Sequence, residues 1–512
     1  MKKKLLVLSI LFSLFSILSV KGNIYTVTST VNGTTSDGVS LRWAITQANA
    51  NPGVDTIKFN ITGRAPHTIT ITSTLPYITG ANGNGTVIDG SSQPANGFSG
   101  VSPKIIIDGG GTTNTALYFN ASNCSVFGLV VTHLNGAGVE FVSAPNFVFG
   151  APNKGNVINN VANFGVGLSI TGCVGGTIQG NKIGTDTTGT ISSSVYTGIS
   201  MDASTHDIMV GGGGAGQGNL ISGQTGPNSC NIIMQASRIT IQGNIIGPAI
   251  NLNRLKGSNV SDGIYLLGAD SCIIGGAVAG QGNIIAYNID TTSTIGAGIQ
   301  NQGTHADLIS RNSIYCNGNW GGLESIAGNN SYPIPVITSA YTNVINGTAP
   351  SKAIVEVFYN QSGCTTIIYG CSGETYLGTA YADVAGNWNL AGTFTGGLDV
   401  TATATDSVHN TSAFANCTQV SVTTNINELS YNNKFNIYPN PVSSFTNLEV
   451  NDNLLLQGCE FRLYDVFGRE AMKMTVSQNT TIINRNKLAN GVYFYQIISN
   501  GSIAGSGKLV VE

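Results

Sequence analysis

The segments VFGAPNKGNVI (148–158), MVGGGGAGQGNLI (209–221) and IIGGAVAGQGNII (273–285) are three copies of one pattern, in which a glycine-rich turn leads to Gly-Asn and two aliphatic residues. The asparagine of this pattern recurs after 63 and then 64 residues. A fixed period of this kind indicates a repeat architecture. One third of the period, about 21 residues, suits one coil of a parallel β-helix and is too short for a helix-pair repeat or a propeller blade.

A second set of copies fills the intervals: GTIQGNKIG (176–184), ITIQGNIIG (239–247) and DLISRNSIY (307–315). Short apolar strands of this kind bury their Val and Ile residues only when each coil stacks on the next. Glycine and asparagine tolerate the left-handed backbone of a sharp corner, and corner amides can hydrogen-bond to one another as in cross-β ladders. We therefore expect a structural ladder, rather than ligand contacts, formed by Asn156, Asn181, Asn219, Asn244, Asn283 and Asn312.

The beginning of the chain has the pattern of an export signal. Three lysines precede a 16-residue apolar run, 5–20, so residues 1–22 are predicted to be a secretory signal peptide. No later segment is apolar enough to predict a transmembrane segment. Removal of the signal takes away four lysines and no acids, so the formal charge goes from −3 to −7. A negative chain without clustered Lys and Arg argues against nucleic acid or anionic membranes as partners.

The cysteine content fits an exported protein. The chain has 9 cysteines, an odd number that leaves at least one without a partner in the same chain. Cys364 and Cys371 bracket a six-residue insert and are the best candidates for a disulfide. Five cysteines flank the apolar strands of the repeat and are expected to be small core residues: Cys124, Cys173, Cys230, Cys272 and Cys316.

Residues 36–59, SDGVSLRWAITQANANPGVDTIKF, contain the clearest helical pattern in the first half. Apolar residues recur at helical spacing, Ser40 can cap the first turn, and Asn51-Pro52-Gly53 ends it. The stretch resembles the C-S-L-R-E-A-I motif that opens a family of secreted bacterial right-handed β-helix proteins, although Ser40 replaces its cysteine and Trp43 its glutamate. An amphipathic helix of this kind would cap the open end of the column.

Candidates for catalysis are few. His206 beside Asp207, and His305 two residues before Asp307, are the best general-base candidates, but a coil of 21 residues puts them about five coils apart. Asp186, in GTDTTGT (184–190), is a weak candidate for binding a cation, for which calcium would be the metal, although turn chemistry also explains an Asp there. The eight Lys and Arg residues between 60 and 320 are scattered in the sequence, and no catalytic residue or cofactor is assigned.

Two further domains follow the β-helix, which is expected to span 23–332. Residues 333–423 carry alternating strands such as TYLGTAY (375–381) and predict a β-sandwich that resembles bacterial immunoglobulin-like modules. After a polar linker, 424–434, residues 435–512 (FNIYPNPVSSFTNLEV, LYDVFGRE, LANGVYFYQIISNG, GKLVVE) resemble the C-terminal sorting domain of type IX secretion cargo in the Bacteroidota. This resemblance implies passage through the type IX secretion machinery, with release or attachment at the outer-membrane surface.

The sequence thus predicts an all-β protein: a right-handed parallel β-helix with an N-terminal capping helix, followed by two small β-sandwich domains. Its long flat faces favour an extended polymer as ligand, so the first hypothesis is adhesion to, or binding of, extracellular polysaccharide or a cell-surface glycan. Two alternatives stay open. One is a polysaccharide lyase or glycoside hydrolase that acts on uronate-type polymers, and the other is a structural surface protein.

Overall fold

The computed structural model describes residues 21–33, 40–100, 103–256, 258, 262–290, 295–318, 321–326, 328–360, 371–422, 435–451 and 458–512. The predicted signal peptide up to residue 20, the predicted linker and Cys364 lie outside the described residues. The chain divides into two compact units, Met1–Thr423 and Thr424–Glu512. Among the described residues, no helix is both long enough and apolar enough to cross a membrane.

Three long parallel sheets form the β-helix and confirm the predicted fold class. The chain passes from sheet A to sheet B to sheet C in each coil. Sheet A contains Ile24–Val27, Thr56–Phe59, Val87–Asp89, Ser125–Phe127, Phe147–Phe149, Val174–Ile178, His206–Gly211, Thr240–Gln242, Ile273–Gly275 and Leu308–Ser310. Sheet B contains His67–Thr70, Ile105–Asp108, Leu129–Thr132, Val157–Ile158, Lys182–Ile183, Leu220–Ile221, Ile245–Ile246, Ile284–Ala286 and Ser313–Tyr315. Sheet C contains Ile78–Thr79, Thr115–Asn120, Ala137–Val142, Val161–Thr171, Val195–Met201, Cys230–Met234, Asp262–Leu267, Ala297–Gln302 and Gly321–Ile326.

The coils are longer than the predicted 21 residues. The six asparagines of the repeat lie on six successive coils, separated by 25, 38, 25, 39 and 29 residues. The period of 63 or 64 residues is therefore one short coil plus one long coil, and dividing it by three was wrong. The long coils contain extra residues in their corners, which do not disturb the stacked strands. With ten strands in sheet A, the column is about 43 Å long.

The six asparagines form an unbroken chain of hydrogen bonds inside the corner between sheets A and B. Asn219 shows the arrangement: its Oδ1 accepts the backbone N–H of Asn181 at 3.0 Å and the side-chain amide of Asn181 at 2.9 Å. Its own Nδ2 donates to Oδ1 of Asn244 at 2.9 Å and to the carbonyl of Ile178 at 2.7 Å. Each amide therefore satisfies buried polar groups of the coils before and after it, which a buried corner requires.

A helix covers the first coils. Leu41–Ala50 is helical, Ser40 accepts the N–H of Trp43 as the N-cap, and Asn51 ends the helix, as predicted. Its apolar face, Leu41, Ala44, Ile45 and Ala48, belongs to the same core as the aliphatic column. Arg42 is buried and donates to the carbonyls of Ser73 and Thr74 at 2.7 and 2.8 Å. Two single turns, Gly90–Ser92 and Asn329–Ser331, are 3₁₀-helical, and Gly80–Gly83 is a short α-helix.

A β-sandwich closes the last coil. Its sheets contain Val336–Ala340, Val344–Thr348 and Asn387–Ala391 in one layer, and Thr375–Tyr381, Ile354–Asn360, Asp399–Thr405 and Thr418–Gln419 in the other. Phe414 packs against the β-helix core, and the N–H groups of Ile309 and Ile314 donate to Oγ1 of Thr411 and the carbonyl of Gly373. Glu356 accepts from Ser310 and from the backbone of Arg311. The exposed strand edge of the final coil is thereby covered.

The cysteines require two corrections. Cys371 is bonded to Cys417, so its predicted pairing with Cys364 does not form. Cys316, expected to be a small core residue, is disulfide-bonded. Cys124, Cys173, Cys230 and Cys272 are free and buried, as is Cys459. The predicted pairing failed because Cys417 follows the strand Asp399–Thr405, which pairs with Ile354–Asn360. The spacing of cysteines along the chain does not reveal that this pairing brings Cys417 close to Cys371.

The second unit is a smaller antiparallel sandwich with its own core. One sheet contains Phe435–Tyr438, Phe445–Val450 and Thr480–Asn484, and the other contains Glu470–Val476, Cys459–Tyr464, Gly491–Ser499 and Ser502–Val511. Leu448, Phe461, Leu463 and Ile497 are fully buried between the sheets.

We expect Asn219→Ala to destabilise the β-helix by roughly 2–5 kcal/mol, because it leaves the buried N–H and side-chain amide of Asn181 without their acceptor. The control is Asn389→Ala in the sandwich, where the side chain is exposed. Urea unfolding of the two variants measures the difference. Equal midpoints for both variants would show that the ladder contributes no stability.

Candidate functional site

A cavity of about 550 Å³ opens at the corner between sheets B and C. We call it the B–C groove. The path of the chain determines the position of the groove, because in each coil this corner connects the end of a sheet B strand to the start of a sheet C strand. The lining residues are Asp108, Gly110, Gly111, His133, Leu134, Asn135, Asn160, Ala162 and Ser194. The groove is therefore built from four successive coils and none of its polar side chains comes from the Gly-Asn repeat.

An Asp-His pair lies on one side of the groove. Asp108 ends a sheet B strand, and its register partner Thr132 ends the next, so the following residue, His133, lies beside Asp108. His133 Nδ1 is 3.1 Å from Oδ1 of Asp108, which also accepts the N–H of Gly110 at 2.8 Å. The His133 side chain is 55% exposed and that of Asp108 is 24% exposed. The pair is thus oriented by the backbone and accessible from solvent.

Two amides line the groove, and two aromatic residues lie on the sheet C strands that follow it. The amide of Asn160 donates to Oγ1 of Thr132 at 3.1 Å, and that of Asn135 donates to the carbonyl of Gly111 at 2.5 Å. Phe164 and Tyr196 lie two residues beyond the lining residues Ala162 and Ser194, which is at most about 7 Å of chain. Their ring centroids are 4.9 Å apart in an edge-to-face arrangement.

Phe164 is held in an unusual position. Its φ is +59°, in the left-handed region that bulky residues rarely adopt, within a strand whose register with the next coil shifts between Val161 and Val166. The side chain is nevertheless 72% exposed. Tyr196 is fixed by a hydrogen bond from its hydroxyl to the carbonyl of Pro227 at 2.7 Å. The backbone conformation costs about 1–3 kcal/mol, and burial of the ring does not compensate for it.

The lining limits the chemistry of the groove. Among its described lining residues there is one carboxylate, Asp108, and no Lys or Arg. Hydrolysis of a glycosidic bond generally uses two carboxyl groups on either side of the bond. The groove instead offers a few hydrogen-bonding groups in fixed orientations within a largely apolar lining, which is the composition of a ligand-binding site.

The candidates His206 and Asp207 lie elsewhere, at the corner between sheets C and A. Asp207 forms a two-bond pair with Arg238 of the next coil, at 2.7 and 2.9 Å, and also contacts Nδ1 of His206 at 2.7 Å. Hydrogen bonds from Arg238 and His206 hold the pKa of Asp207 well below its usual range. A carboxylate held so strongly in its ionised form is a poor general base at neutral pH.

His305 lies closer to His206 than predicted, but it does not join a site. Bridges from His206 through Ser237 and Asp270 to His305 place the two histidines three coils apart, about 14 Å, rather than five coils. Asp307 is fully buried, and its Oδ1 accepts the N–H of Cys272 at 2.9 Å. Burial raises the pKa of Asp307 to about 6. His305 is exposed, so the two side chains do not act on one ligand.

The Asp186 carboxylate is occupied by its own turn. Its Oδ1 accepts the N–H groups of Gly189, Thr190 and Ile191, each at 3.0 Å, and Oδ2 accepts from Thr188 at 2.6 Å. Although burial opposes ionisation, these hydrogen bonds lower the pKa of Asp186. Within the described ranges, no group of three or more His, Cys, Asp or Glu residues is arranged to hold a metal ion. Turn formation therefore accounts for Asp186.

Sequence reasoning missed Asp108, His133, Phe164 and Tyr196. A usable signal was present for the first two, because each lies at the end of a short aliphatic strand, in KIIIDG (104–109) and LVVTH (129–133). In a parallel sheet these ends are adjacent once the coil length is known. The aromatic pair had no such signal, since Phe164 depends on a local shift of register.

A buried carboxyl, Asp262, lies in sheet C away from the groove. It is buried, its Oδ1 accepts the N–H of Ala297 at 2.9 Å, and Sγ of Cys230 is 4.0 Å from Oδ2. Burial raises its pKa to about 7, and the neighbouring Glu324 adds to this effect. The unfolded chain releases this proton near pH 4, whereas the folded chain keeps it until about pH 7. Stability therefore falls as the pH rises through this window and then levels off.

We expect Asp262→Asn to raise the free energy of unfolding at pH 8 by up to about 4 kcal/mol and to change it little at pH 4. The asparagine keeps an acceptor for Ala297 but cannot ionise. Urea unfolding from pH 4 to 8 measures both proteins. If the variant and the original protein lose stability with the same slope, Asp262 does not titrate as described.

The comparison with protein families concerns the second unit. Residues 436–512 match the Secretion system C-terminal sorting domain. The chain ends in a sorting domain. The protein is therefore secreted, its destination is the outer-membrane surface, and its partner in export is the type IX secretion machinery. No curated protein matches the sequence.

Solved structures give weaker likenesses. Pectate lyase Pel9A shares 14% identity over 60% of this chain and 77% of its own, with a TM-score of 0.28. The full-length tailspike protein 2 of the Escherichia coli O157:H7 bacteriophage CAB120 shares 12% identity over 89% of this chain and 59% of its own, with a TM-score of 0.26. The A-module of the Azotobacter vinelandii mannuronan C-5 epimerase AlgE6 shares 12% identity over 54% of this chain and 80% of its own, with a TM-score of 0.22. At these scores the likenesses carry no argument about function.

Proposed function

We propose that this secreted β-helix protein binds extracellular polysaccharide at the cell surface, and that the B–C groove is the binding site. The observation that carries the proposal is the Phe164–Tyr196 pair, in which the Phe164 ring is exposed and both residues lie two positions beyond residues that line the cavity. An exposed aromatic side chain in a costly backbone conformation is typical of functional positions.

The chemistry of the groove suits a sugar. One face of a pyranose ring consists mostly of C–H groups and packs on an aromatic ring, while its hydroxyls need both donors and acceptors. Asn135 and Asn160 provide both kinds of group, Asp108 provides acceptors, and His133 provides its Nε2, because its Nδ1 faces Asp108. Because the groove crosses four coils, about 14 Å of the column, it is longer than a single sugar ring.

We expect the double variant Phe164→Ala/Tyr196→Ala to bind its polysaccharide roughly tenfold or more weakly, because exposed aromatic anchors dominate such interfaces. The ligand is first found on a glycan array with the full chain, and its affinity is then measured by titration calorimetry. Tyr381→Ala is the matched control, since Tyr381 is also 72% exposed but lies on the sandwich.

The control should bind as the unchanged protein does. If the double variant keeps full affinity while folded, the B–C groove is not the site. If no polysaccharide on the array is bound by the unchanged protein, the proposed function fails and the structural surface role takes its place.

A second candidate function is an enzyme acting on such a polymer, and the Asp108–His133 pair favours it. A histidine oriented by a carboxylate is a recurrent general base. Incubation with the bound polysaccharide, followed by assay of new reducing ends and of unsaturated products, tests this candidate. Product formation that is lost in His133→Gln, with binding retained, would favour catalysis over binding alone.

We further propose the domain division 23–332, 333–423 and 435–512, with the middle domain an immunoglobulin-like module and the N-terminal helix a C-S-L-R-E-A-I-type cap. The strand order of the sandwich and the capping by Ser40 support these assignments. In this proposal the middle module acts as the second cap of the β-helix, through Phe414 and Thr411.

A further inference from the structure

A second cavity, of about 560 Å³, lies on the outside of the corner between sheets A and B, and three lysines line it. We call it the lysine groove. Lys104 directly precedes the sheet B strand Ile105–Asp108. Lys154 lies two coils later, before the strand Val157–Ile158, and Lys182 begins the sheet B strand of the following coil.

The concentration of positive charge is unusual for this chain. Only 22 of the 512 residues are Lys or Arg, and eight of these lie between 60 and 320. Three of the eight line this one cavity. Basic residues that are scattered in the sequence are therefore clustered here in the folded chain. None of the described lining residues is acidic. Two carboxylates outside the lining act on these lysines: Oδ2 of Asp89 lies 3.6 Å from Nζ of Lys154, and the charge of Asp186 acts on Lys182.

The lysines keep donors for a ligand. An ammonium group has three N–H donors. Among the described contacts, Lys104 donates to the carbonyl of Gln93 at 2.7 Å and Lys182 donates to that of Thr187. These single contacts leave further N–H groups of Lys104 and Lys182 available to a ligand. Burial lowers the pKa of Lys182 although the charge of Asp186 opposes this shift, and an anionic ligand beside Lys182 would further stabilise its charged form.

The groove has the length of a polymer site. Lys104 and Lys182 are three coils apart, about 14 Å along the column. A further cavity of about 420 Å³ continues from it and shares the lining residues Gly180, Lys182, Gly216 and Gly218. A ligand that reaches all three lysines must therefore extend along the column, which a single sugar ring cannot do.

We propose that the lysine groove binds an acidic polysaccharide through carboxylate or sulfate groups on successive sugars. This inference rests on the proposed polysaccharide binding, but it concerns different residues and a different corner of the coil. Each lysine would contact one anionic group, and such charge-assisted hydrogen bonds are stronger than neutral ones. Affinity should then fall as salt is added, because the lysines are partly exposed.

The test uses the full chain and three variants. Lys104→Ala/Lys154→Ala/Lys182→Ala removes the groove charges, and Arg64→Ala/Arg254→Ala/Lys256→Ala removes the same charge from exposed positions that do not line it. Phe164→Ala/Tyr196→Ala reports on the B–C groove. The probes are polygalacturonate, its fully methyl-esterified form, dextran sulfate and dextran, with single-stranded DNA and phosphatidylglycerol vesicles as other polyanions.

We expect polygalacturonate or dextran sulfate to bind, the uncharged counterpart to bind weakly, and the groove variant to lose at least about tenfold in affinity while the charge-matched control does not. Comparison of the affinities for polygalacturonate and dextran sulfate shows whether carboxylate or sulfate groups are preferred. Monomeric galacturonate should compete poorly, because it reaches one lysine at a time.

Three results would overturn the inference. The first is an equal loss in the charge-matched control, and the second is equal binding of the methyl ester. The third is binding of DNA or vesicles as tight as that of the acidic glycan. If neutral glycans bind through Phe164 and Tyr196 while no acidic glycan binds, this inference fails and the proposed function stands. If no polysaccharide binds at either groove, both fail.

Discussion

The hydrogen bond from a backbone N–H to the side-chain oxygen of the asparagine one coil later is the contact on which the β-helix depends. It recurs at 2.8–3.0 Å from Asn156 to Asn312, and each donor and acceptor is buried. The preceding residue faces outward and is glycine in five of the six copies. At Gly155 an added Cβ would lie 1.7 Å from the carbonyl oxygen of Gly180. One dipeptide thus builds the inner ladder and allows successive coils to approach closely at this corner.

Closure of the two ends matters as much as the ladder, since an open β-helix exposes unpaired strand edges. The helix Leu41–Ala50 and the sandwich solve this problem differently. The helix covers the apolar core with its own apolar face, whereas the sandwich supplies hydrogen-bond partners, from Thr411, Gly373 and Glu356, to the last coil. With the ends covered, the corners and the outer faces of the three sheets are the surfaces left for binding a ligand.

The sequence predicted features that are periodic or local. The asparagine corners, the capped helix and the strand Thr375–Tyr381 follow from short patterns whose physical cause lies within a few residues. The predicted coil length was wrong because the corners accept insertions, as between Ile183 and Val195. A short coil and a long coil together produce the regular period seen in the sequence. The grooves could not be predicted, since Asp108, His133 and the three lysines become neighbours only when that length is known.

Hydrogen exchange of the ladder amides tests the stacked column most directly. The backbone N–H groups of Asn181, Asn219, Asn244 and Asn283 should be among the slowest in the protein and exchange only through global unfolding, because each is buried and bonded to the next coil. The exposed turn at Asn253 should exchange rapidly. If the four ladder amides exchange as fast as that turn, the coils do not stack as described.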